Sequence, residues 1–191
     1  MPKYILAIDH GTSGAKTAIV SVYGKVIDFE FEETPLYLLD GGGAEQDPDE
    51  WMKAVISTSK KLVDKQIVKV EDIVGVAVSS QWSGTVAVDK DGNHLHNAII
   101  WMDTRGAPYV KKIVGGMFSG FKLRAILTWL GKTGGAPGLS GKDPIAHILW
   151  LKNEKPDIYK KTYKFLECRD YLNLKLTGKF ATSSETITLS W

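Results

Sequence analysis

Three short segments of the sequence combine residue types that can bind a phosphorylated or hydroxylated ligand. The first contains, in order, Asp9, Gly11, Thr12, Ser13, Gly14 and Lys16. A turn of small residues lets backbone N–H groups converge, hydroxyls add donors, and a carboxylate at a strand end can hold hydrated Mg²⁺. The segment predicts a phosphate cradle without the Walker spacing, although an ordinary β-hairpin has the same composition.

The second segment, which runs from Ser79 to Gly84, follows a run of valine and alanine that is typical of a buried strand. Ligands of open α/β sheets collect at such strand ends. There the Gln81 amide can both donate and accept hydrogen bonds, and the Trp82 ring suits the apolar face of a sugar. A loop with one partly buried tryptophan would also fit, so this segment needs support from its neighbours.

The third segment places Trp101, Asp103 and Arg105 after the predicted strand that begins at Ala98. If the strand continues this far, alternation puts the ring, the carboxylate and the guanidinium on one face. All three would then line one pocket. The alternative is that Asp103 and Arg105 form a surface ion pair of little energetic consequence.

The elements that must position these segments alternate between strands and helices. The predicted strands cover residues 4–8, 16–22, 26–31, 73–79, 85–88, 98–101 and 163–166. Two predicted helices begin at Asp47-Pro48 and at Asp143-Pro144, and two more cover residues 121–130 and 170–176. The first of them has an apolar side of Trp51, Val55, Leu62 and Ile67. This order predicts an α/β layered domain with residues 73–79 at the centre of its sheet. The glycine-rich residues 115–141 predict a mobile loop or lid.

Composition excludes several classes of protein. The 191 residues are 43% apolar, which suffices for one full hydrophobic core, and the formal charge of +2 is spread evenly, so no nucleic-acid or membrane footprint is expected. The single cysteine, Cys168, rules out an internal disulfide and favours the cytoplasm. No apolar run approaches the ~18 residues of a membrane span. His94 and His96 lack a nearby carboxylate in the sequence, which argues against a histidine metal site.

The three segments, in this order, resemble the N-terminal half of the FGGY family of carbohydrate kinases, within the sugar kinase, Hsp70 and actin ATPase superfamily. The resemblance rests on residues 4–12, Ala44-Glu-Gln-Asp-Pro-Asp-Glu-Trp51, residues 98–105, Arg169-Asp-Tyr-Leu172, Leu176-Thr-Gly178 and Thr182. It implies a ribonuclease H-like domain, with a mixed five-stranded sheet flanked by helices. Residues 1–191 would be the N-terminal, sugar-binding domain, and the C-terminal ATP-binding lobe would be missing from this chain.

The resemblance also implies roles for individual residues in transfer of the γ-phosphoryl group of ATP to a sugar or polyol hydroxyl. Asp9 would organise Mg²⁺ and ATP, with Gly11, Thr12, Ser13 and Lys16 beside the phosphates. The sugar would face Gln81, Trp82, Trp101, Asp103 and Arg105, although Arg105 could orient Asp103 instead. The catalytic base would lie beyond Trp191, so we expect this chain alone to be inactive.

Substrate choice is left open by the strand-end loop, Gln81-Trp82-Ser83-Gly84. In this loop glycerol kinases have a sequence like Gln-Arg-Glu-Thr, and xylulokinases have one like Gln-Met-His-Gly. Glycerol is therefore disfavoured as the substrate, and a xylulokinase-like enzyme is favoured. A gluconokinase-like or other pentulose kinase remains an alternative, as does a non-catalytic, sugar-sensing actin-like module. The expected partners are a small sugar and the missing lobe, without nucleic acid or membrane, and a homodimer is left open.

Overall fold

The computed structural model describes residues 2–116, 120, 122–133 and 135–187, which form nine strands and seven α-helices. The strands are Tyr4–Gly11 (β1), Gly14–Ser21 (β2), Val26–Glu33 (β3), Tyr37–Leu39 (β4), Gly43–Gln46 (β5), Ile73–Ser80 (β6), Val86–Val88 (β7), Ala98–Ile99 (β8) and Lys164–Leu166 (β9). The helices are Pro48–Asp64 (α1), Ala107–Val114 (α2), Leu123–Thr133 (α3), Pro144–Glu154 (α4), Pro156–Lys161 (α5), Cys168–Thr177 (α6) and Ser184–Ile187 (α7).

A mixed sheet with the strand order β3-β2-β1-β6 positions the candidate site. The first three strands form an antiparallel meander, and β6 pairs with β1 in parallel. The sheet has four strands among the described residues, where five were predicted. Because β1 and β6 are parallel, the residues that follow them emerge at the same edge of the sheet.

Within the described residues, the structure does not place residues 73–79 at the centre of the sheet, where the sequence predicts them. Strand β6 lies at an edge of the described sheet, and Val76, in its middle, is 56% exposed. A continuous apolar run is typical of a strand that is covered on both faces. The run indicates that β6 is apolar, but it cannot show which elements cover the strand in the folded chain.

Helix α1 packs against the meander, and it begins at Pro48 after Asp47, as the sequence predicts. The Asp47 carboxylate caps the helix by accepting a hydrogen bond from the Asp49 N–H, at 2.9 Å. Trp51, Val55 and Leu62 of the predicted apolar side are fully buried. The helix ends at Asp64, however, and Ile67 is half-exposed beyond it.

The remaining predicted elements differ from the observed ones mainly at their boundaries. The helix predicted at 121–130 begins at Leu123, and Phe121 lies outside the described residues. Helix α6 ends at Thr177 and is capped by Gly178, whose φ of 70° places it in the left-handed region that favours glycine. The predicted lid contains α3, and its residues 117–119, 121 and 134 lie outside the description, so the lid stays a prediction. None of the described helices has the length and apolarity to cross a membrane.

Candidate functional site

A cavity of about 350 Å³ lies where β1 and β6 end. It is lined by Asp9, Gly11, Thr12, Ser80, Gln81, Trp82 and Trp101. In the parallel register Asp9 lies opposite Ser79, and the Gln81 N–H donates to the His10 carbonyl at 2.7 Å, so the two chain segments leave the sheet together. The structure therefore brings the first two predicted segments and Trp101 into one site.

A chain of hydrogen bonds fixes the polar groups of this cavity. Trp101 Nε1 donates to Thr12 Oγ1 at 2.9 Å, and the Thr12 hydroxyl donates to Gln81 Oε1 at 3.2 Å. Gln81 Nε2 donates to Gln46 Oε1 at 2.7 Å, and Gln46 Nε2 donates in turn to the Thr12 carbonyl at 2.9 Å. Each amide is thereby locked in one orientation, because its oxygen accepts and its nitrogen donates.

Gln46 is a residue of the site that the sequence analysis did not identify. It is fully buried at the end of β5, and it connects the hairpin tip to the strand-end loop. The sequence does place Gln46 beside the helix start at Asp47, but its role depends on contacts with chain segments that are far away in the sequence. Only the fold reveals those contacts.

The hairpin tip between β1 and β2 is a tight turn that packs closely on β3. Gly11 pairs with Gly14 across a two-residue turn, and a Cβ on Gly14 would clash with the backbone of Glu32 in β3. Ser13 is exposed at the tip. Lys16 is also exposed and lies opposite Asp9 in the register, although neither Ser13 nor Lys16 lines the cavity.

The donors around Asp9 fit Mg²⁺ and the phosphates of ATP. An exposed carboxylate with neighbouring hydroxyls is a set of hard oxygen donors of the kind that Mg²⁺ prefers. The small residues of the turn leave the backbone open to a ligand, since the nearest atom to a Cβ built on Gly11 is 3.8 Å away. This part of the cavity can therefore hold a hydrated cation beside phosphate oxygens.

Asp103 and Arg105 lie behind the cavity and do not line it. Strand β8 ends at Ile99 and Trp101 lies in a turn, so the predicted alternation does not continue and the three side chains do not share a face. Asp103 is 1% exposed, and its Oδ2 accepts from the Ala44 N–H at 2.9 Å. The structure thus corrects the prediction of one shared face, because chain pairing stops before Trp101.

Arg105 forms a buried charge cluster with Asp103 and Glu45. Its Nε donates to Asp103 Oδ2 at 2.8 Å and its Nη2 to Glu45 Oε1 at 2.6 Å. The guanidinium also lies 3.8 Å from the centre of the Trp150 ring. The cluster joins β5 to the turn that carries Trp101, and the Trp101 side chain lines the cavity.

His147 of α4 is a second polar group that the fold buries near this cluster. Its Nδ1 lies 3.0 Å from the Thr85 hydroxyl, and its Nε2 has no hydrogen-bond partner. Burial lowers the pKa of His147 from 6.5 to about 4, and nearby Asp103 and Arg105 act in opposite directions. The folded protein therefore holds this imidazole in its neutral form.

We predict that lowering the pH from 6.5 to about 4 destabilises the fold through His147. In that range the unfolded imidazole binds a proton and the folded one does not, so the unfolded state is favoured as the pH falls, by roughly 3 kcal/mol at the acid end. Denaturant unfolding at several pH values measures the slope. A His147→Asn variant should show a shallower slope, and an unchanged slope would contradict the assignment.

Carboxylates also reach the histidines outside the cavity, contrary to the sequence prediction. His94 Nε2 lies 3.7 Å from Asp47 Oδ1, and its Nδ1 lies 3.6 Å from Asp49 Oδ1. These groups are partly or fully exposed at the start of α1. Carboxylates beside an imidazole are common on protein surfaces, and we assign this group no role in the site.

Comparison with known proteins identifies one family across almost the whole chain. The model of the FGGY family of carbohydrate kinases, N-terminal domain, matches residues 4–190. A xylulose kinase of Bacillus subtilis is 33% identical over 180 residues, which are 94% of this chain and 34% of that protein. A gluconokinase of Bacillus licheniformis is 31% identical over 94% of this chain and 33% of its own length. The chain therefore spans about a third of these relatives.

Solved structures share the fold. The gluconate kinase of Lactobacillus acidophilus superimposes with a TM-score of 0.84 and 27% identity, over 100% of this chain and 36% of that protein. The xylulose kinase of the same organism gives a TM-score of 0.83 and 28% identity, over 98% of this chain and 36% of its own. The ribonuclease H-like class with helices around a mixed sheet is thus confirmed.

Proposed function

The chain belongs to the FGGY family of carbohydrate kinases, and from this we propose that it is the sugar-binding lobe of an ATP-dependent sugar kinase. One observation supports the proposal most strongly. The cavity is lined by Asp9 and Thr12 of the hairpin between β1 and β2, together with Gln81 and Trp101 of the predicted sugar site. A phosphoryl donor and a hydroxyl acceptor could therefore meet in one cavity.

The sugar would bind to the side of the cavity formed by Gln81, Trp82 and Trp101. Trp82 is 64% exposed and Trp101 is 41% exposed, so both rings are available to cover apolar sugar faces. The hydrogen bonds of Gln81 to Thr12 and Gln46 leave the amide fixed before a ligand arrives, which lowers the entropic cost of binding. We assign Asp103 and Arg105 to positioning Trp101.

The phosphates would bind at the hairpin tip. Asp9 would hold hydrated Mg²⁺, while Gly11, Thr12, Ser13 and Lys16 would lie beside ATP. Mg²⁺ bound there neutralises charge on the transferred phosphoryl group. Asp9 is the sole carboxylate that lines the cavity within the described part of the chain, so we assign proton acceptance from the sugar hydroxyl to the second lobe.

Two further features of the intact protein are part of the proposal. Cys168, the single cysteine of this chain, is a buried free thiol, which supports a reducing, cytoplasmic location. A homodimer stays a hypothesis, which the mass of the purified protein in solution tests.

The substrate class is tested by a screen of the intact protein. We expect ADP formation from Mg²⁺-ATP with a ketopentose such as D-xylulose or an aldonate such as D-gluconate, because the similar proteins are xylulose kinases and gluconokinases. Glycerol should support turnover poorly, since the strand-end loop lacks an Arg-Glu pair. Sugar binding without ADP formation would favour the alternative of a non-catalytic, sugar-sensing module. The proposal would be overturned if the protein showed no binding and no turnover with any sugar.

A further inference from the structure

A buried carboxyl group, that of Glu167, packs against the strand-end loop of residues 81–84. Glu167 precedes α6 and is 5% exposed. The backbone N–H groups of Ser83 and Gly84 interact with its carboxylate and favour its ionised form, while its buried Oε1 has no hydrogen-bond partner among the described residues. Glu167 also lines a second cavity, of about 150 Å³, that Gln81 and Trp82 share with the first one. The group therefore contacts the loop whose side chains would bind sugar.

The strand-end loop needs such a contact because its backbone is strained. Ser83 has a φ of 61°, in the left-handed region that residues with side chains rarely adopt. Gly84 follows, and a Cβ there would clash with Cys168 Sγ, so the loop is pressed against the start of α6. Ser83 Oγ donates to the Lys142 carbonyl at 2.9 Å. The conformation thus depends on tertiary contacts, and the Glu167 carboxylate interacts with the backbone N–H groups of this strained segment.

We propose that Glu167 is a positioning residue for sugar binding: its ionised carboxylate holds the Ser83-Gly84 backbone, and protonation weakens this hold on Gln81 and Trp82. The inference rests on the proposed function for its kinetic consequence. The loop contact itself does not depend on that function. Hydrogen bonds to an ionised acceptor are stronger than those to a neutral one, which is why the charge state of Glu167 would be felt by the loop.

The surroundings of Glu167 place this change in an accessible pH range. Burial raises the pKa of Glu167 to about 7, and the N–H of Gly84 opposes this shift. The titratable and charged groups nearby are Cys168, Arg169 and Asp170 of α6, together with Tyr163 and Lys164 beside them in a cavity that Glu167 also lines. Asp170 favours the neutral form of Glu167 and Arg169 the ionised form. Sugar affinity should therefore fall as the pH is lowered through about 7.

The kinetic test compares three forms of the intact protein, with D-xylulose and D-gluconate as probes. The wild-type KM for sugar should rise between about pH 8 and about pH 6. Glu167→Gln keeps the acceptor oxygen but not the charge, so its KM should be flat and equal to the wild-type value at the acid end. Glu167→Ala should raise KM about tenfold above wild type at the alkaline end, with kcat changed much less. Glu71→Gln, at an exposed position, is the matched control.

A second readout does not need turnover. Amide hydrogen exchange of a peptide that covers residues 79–86 should be about tenfold faster in Glu167→Ala than in wild type, with Glu167→Gln between the two. If Glu167→Ala exchanges faster but the intact protein forms no ADP with sugar, the loop contact of Glu167 is supported and the proposed kinase function is rejected. Unchanged exchange, or a wild-type KM profile in both Glu167 variants, would overturn the role of Glu167. If the alanine variant fails to fold, Glu167→Gln and the pH profile of the wild-type KM still test the role of Glu167.

Discussion

Replacement of Asp9 by asparagine is expected to lower the kcat of the intact protein by about 100-fold or more, with a small effect on the KM for sugar. Asparagine keeps the shape of the side chain but removes the charge that would hold Mg²⁺ beside the phosphates. Asp9 is an exposed residue of β1 that lines the cavity where we propose that the phosphates bind. The loss should therefore appear in transfer from ATP and in the concentration of Mg²⁺ that the reaction requires.

The measurement is steady-state ADP release at saturating sugar over a range of Mg²⁺ concentrations. Asp91→Asn is a suitable control, since Asp91 is an exposed aspartate in a turn and does not line the cavity. It should leave kcat unchanged. An Asp9→Asn protein with kcat within about threefold of wild type at ordinary Mg²⁺ concentrations would show that the carboxylate does not serve the phosphates.

The second large effect concerns stability. Asp103→Ala should lower the free energy of unfolding by about 3 kcal/mol, because it removes a buried carboxylate that accepts hydrogen bonds from the backbone N–H and the partly buried guanidinium of Arg105. The Ala44 N–H would also lose its acceptor. Denaturant unfolding of the intact protein, followed by circular dichroism, measures the shift.

Two comparisons separate this effect from an ordinary loss of an ion pair. Lys53→Ala removes the exposed pair between Lys53 and Glu50 and should leave the unfolding midpoint unchanged. Asp103→Asn keeps an acceptor for the Ala44 N–H, so it should be less destabilising than Asp103→Ala. If Asp103→Ala were as stable as Lys53→Ala, the buried cluster would not be holding the turn of Trp101.

The parts of the fold that depend on local chemistry could be predicted from the sequence. The start of α1 follows from a capping aspartate and a proline at the first helical position, and the end of α6 follows from Gly178. The meander follows from alternation and short turns. In each case the interactions that form the element lie within a few residues of one another.

Within the site, prediction succeeded where strand ends alone decide the geometry. The structure brings Asp9, near the end of β1, and Gln81, just after its parallel neighbour β6, into one cavity. Trp101 joins them from a turn after β8, which belongs to a separate sheet. The prediction that Trp101, Asp103 and Arg105 share one face was wrong, because β8 ends at Ile99 and the chain then turns. No pattern in the sequence fixes where pairing between distant strands stops.

The residues that the sequence analysis missed act through distant contacts. Gln46 bonds to residues 34 and 35 positions away along the chain, and Glu167 contacts a loop more than eighty residues earlier. The edge position of β6 is also a property of the sheet order. Such features depend on tertiary packing, which hydrophobic periodicity does not encode.

The central claim is that the cavity serves phosphoryl transfer from ATP to a sugar hydroxyl. Phosphorus NMR of the intact protein with Mg²⁺-ATP and D-xylulose or D-gluconate tests it most directly. We predict loss of the γ-phosphate resonance, growth of ADP, and a matching phosphomonoester signal that appears only with sugar. ADP accompanied by inorganic phosphate alone, or ATP left intact with both sugars, would contradict the account.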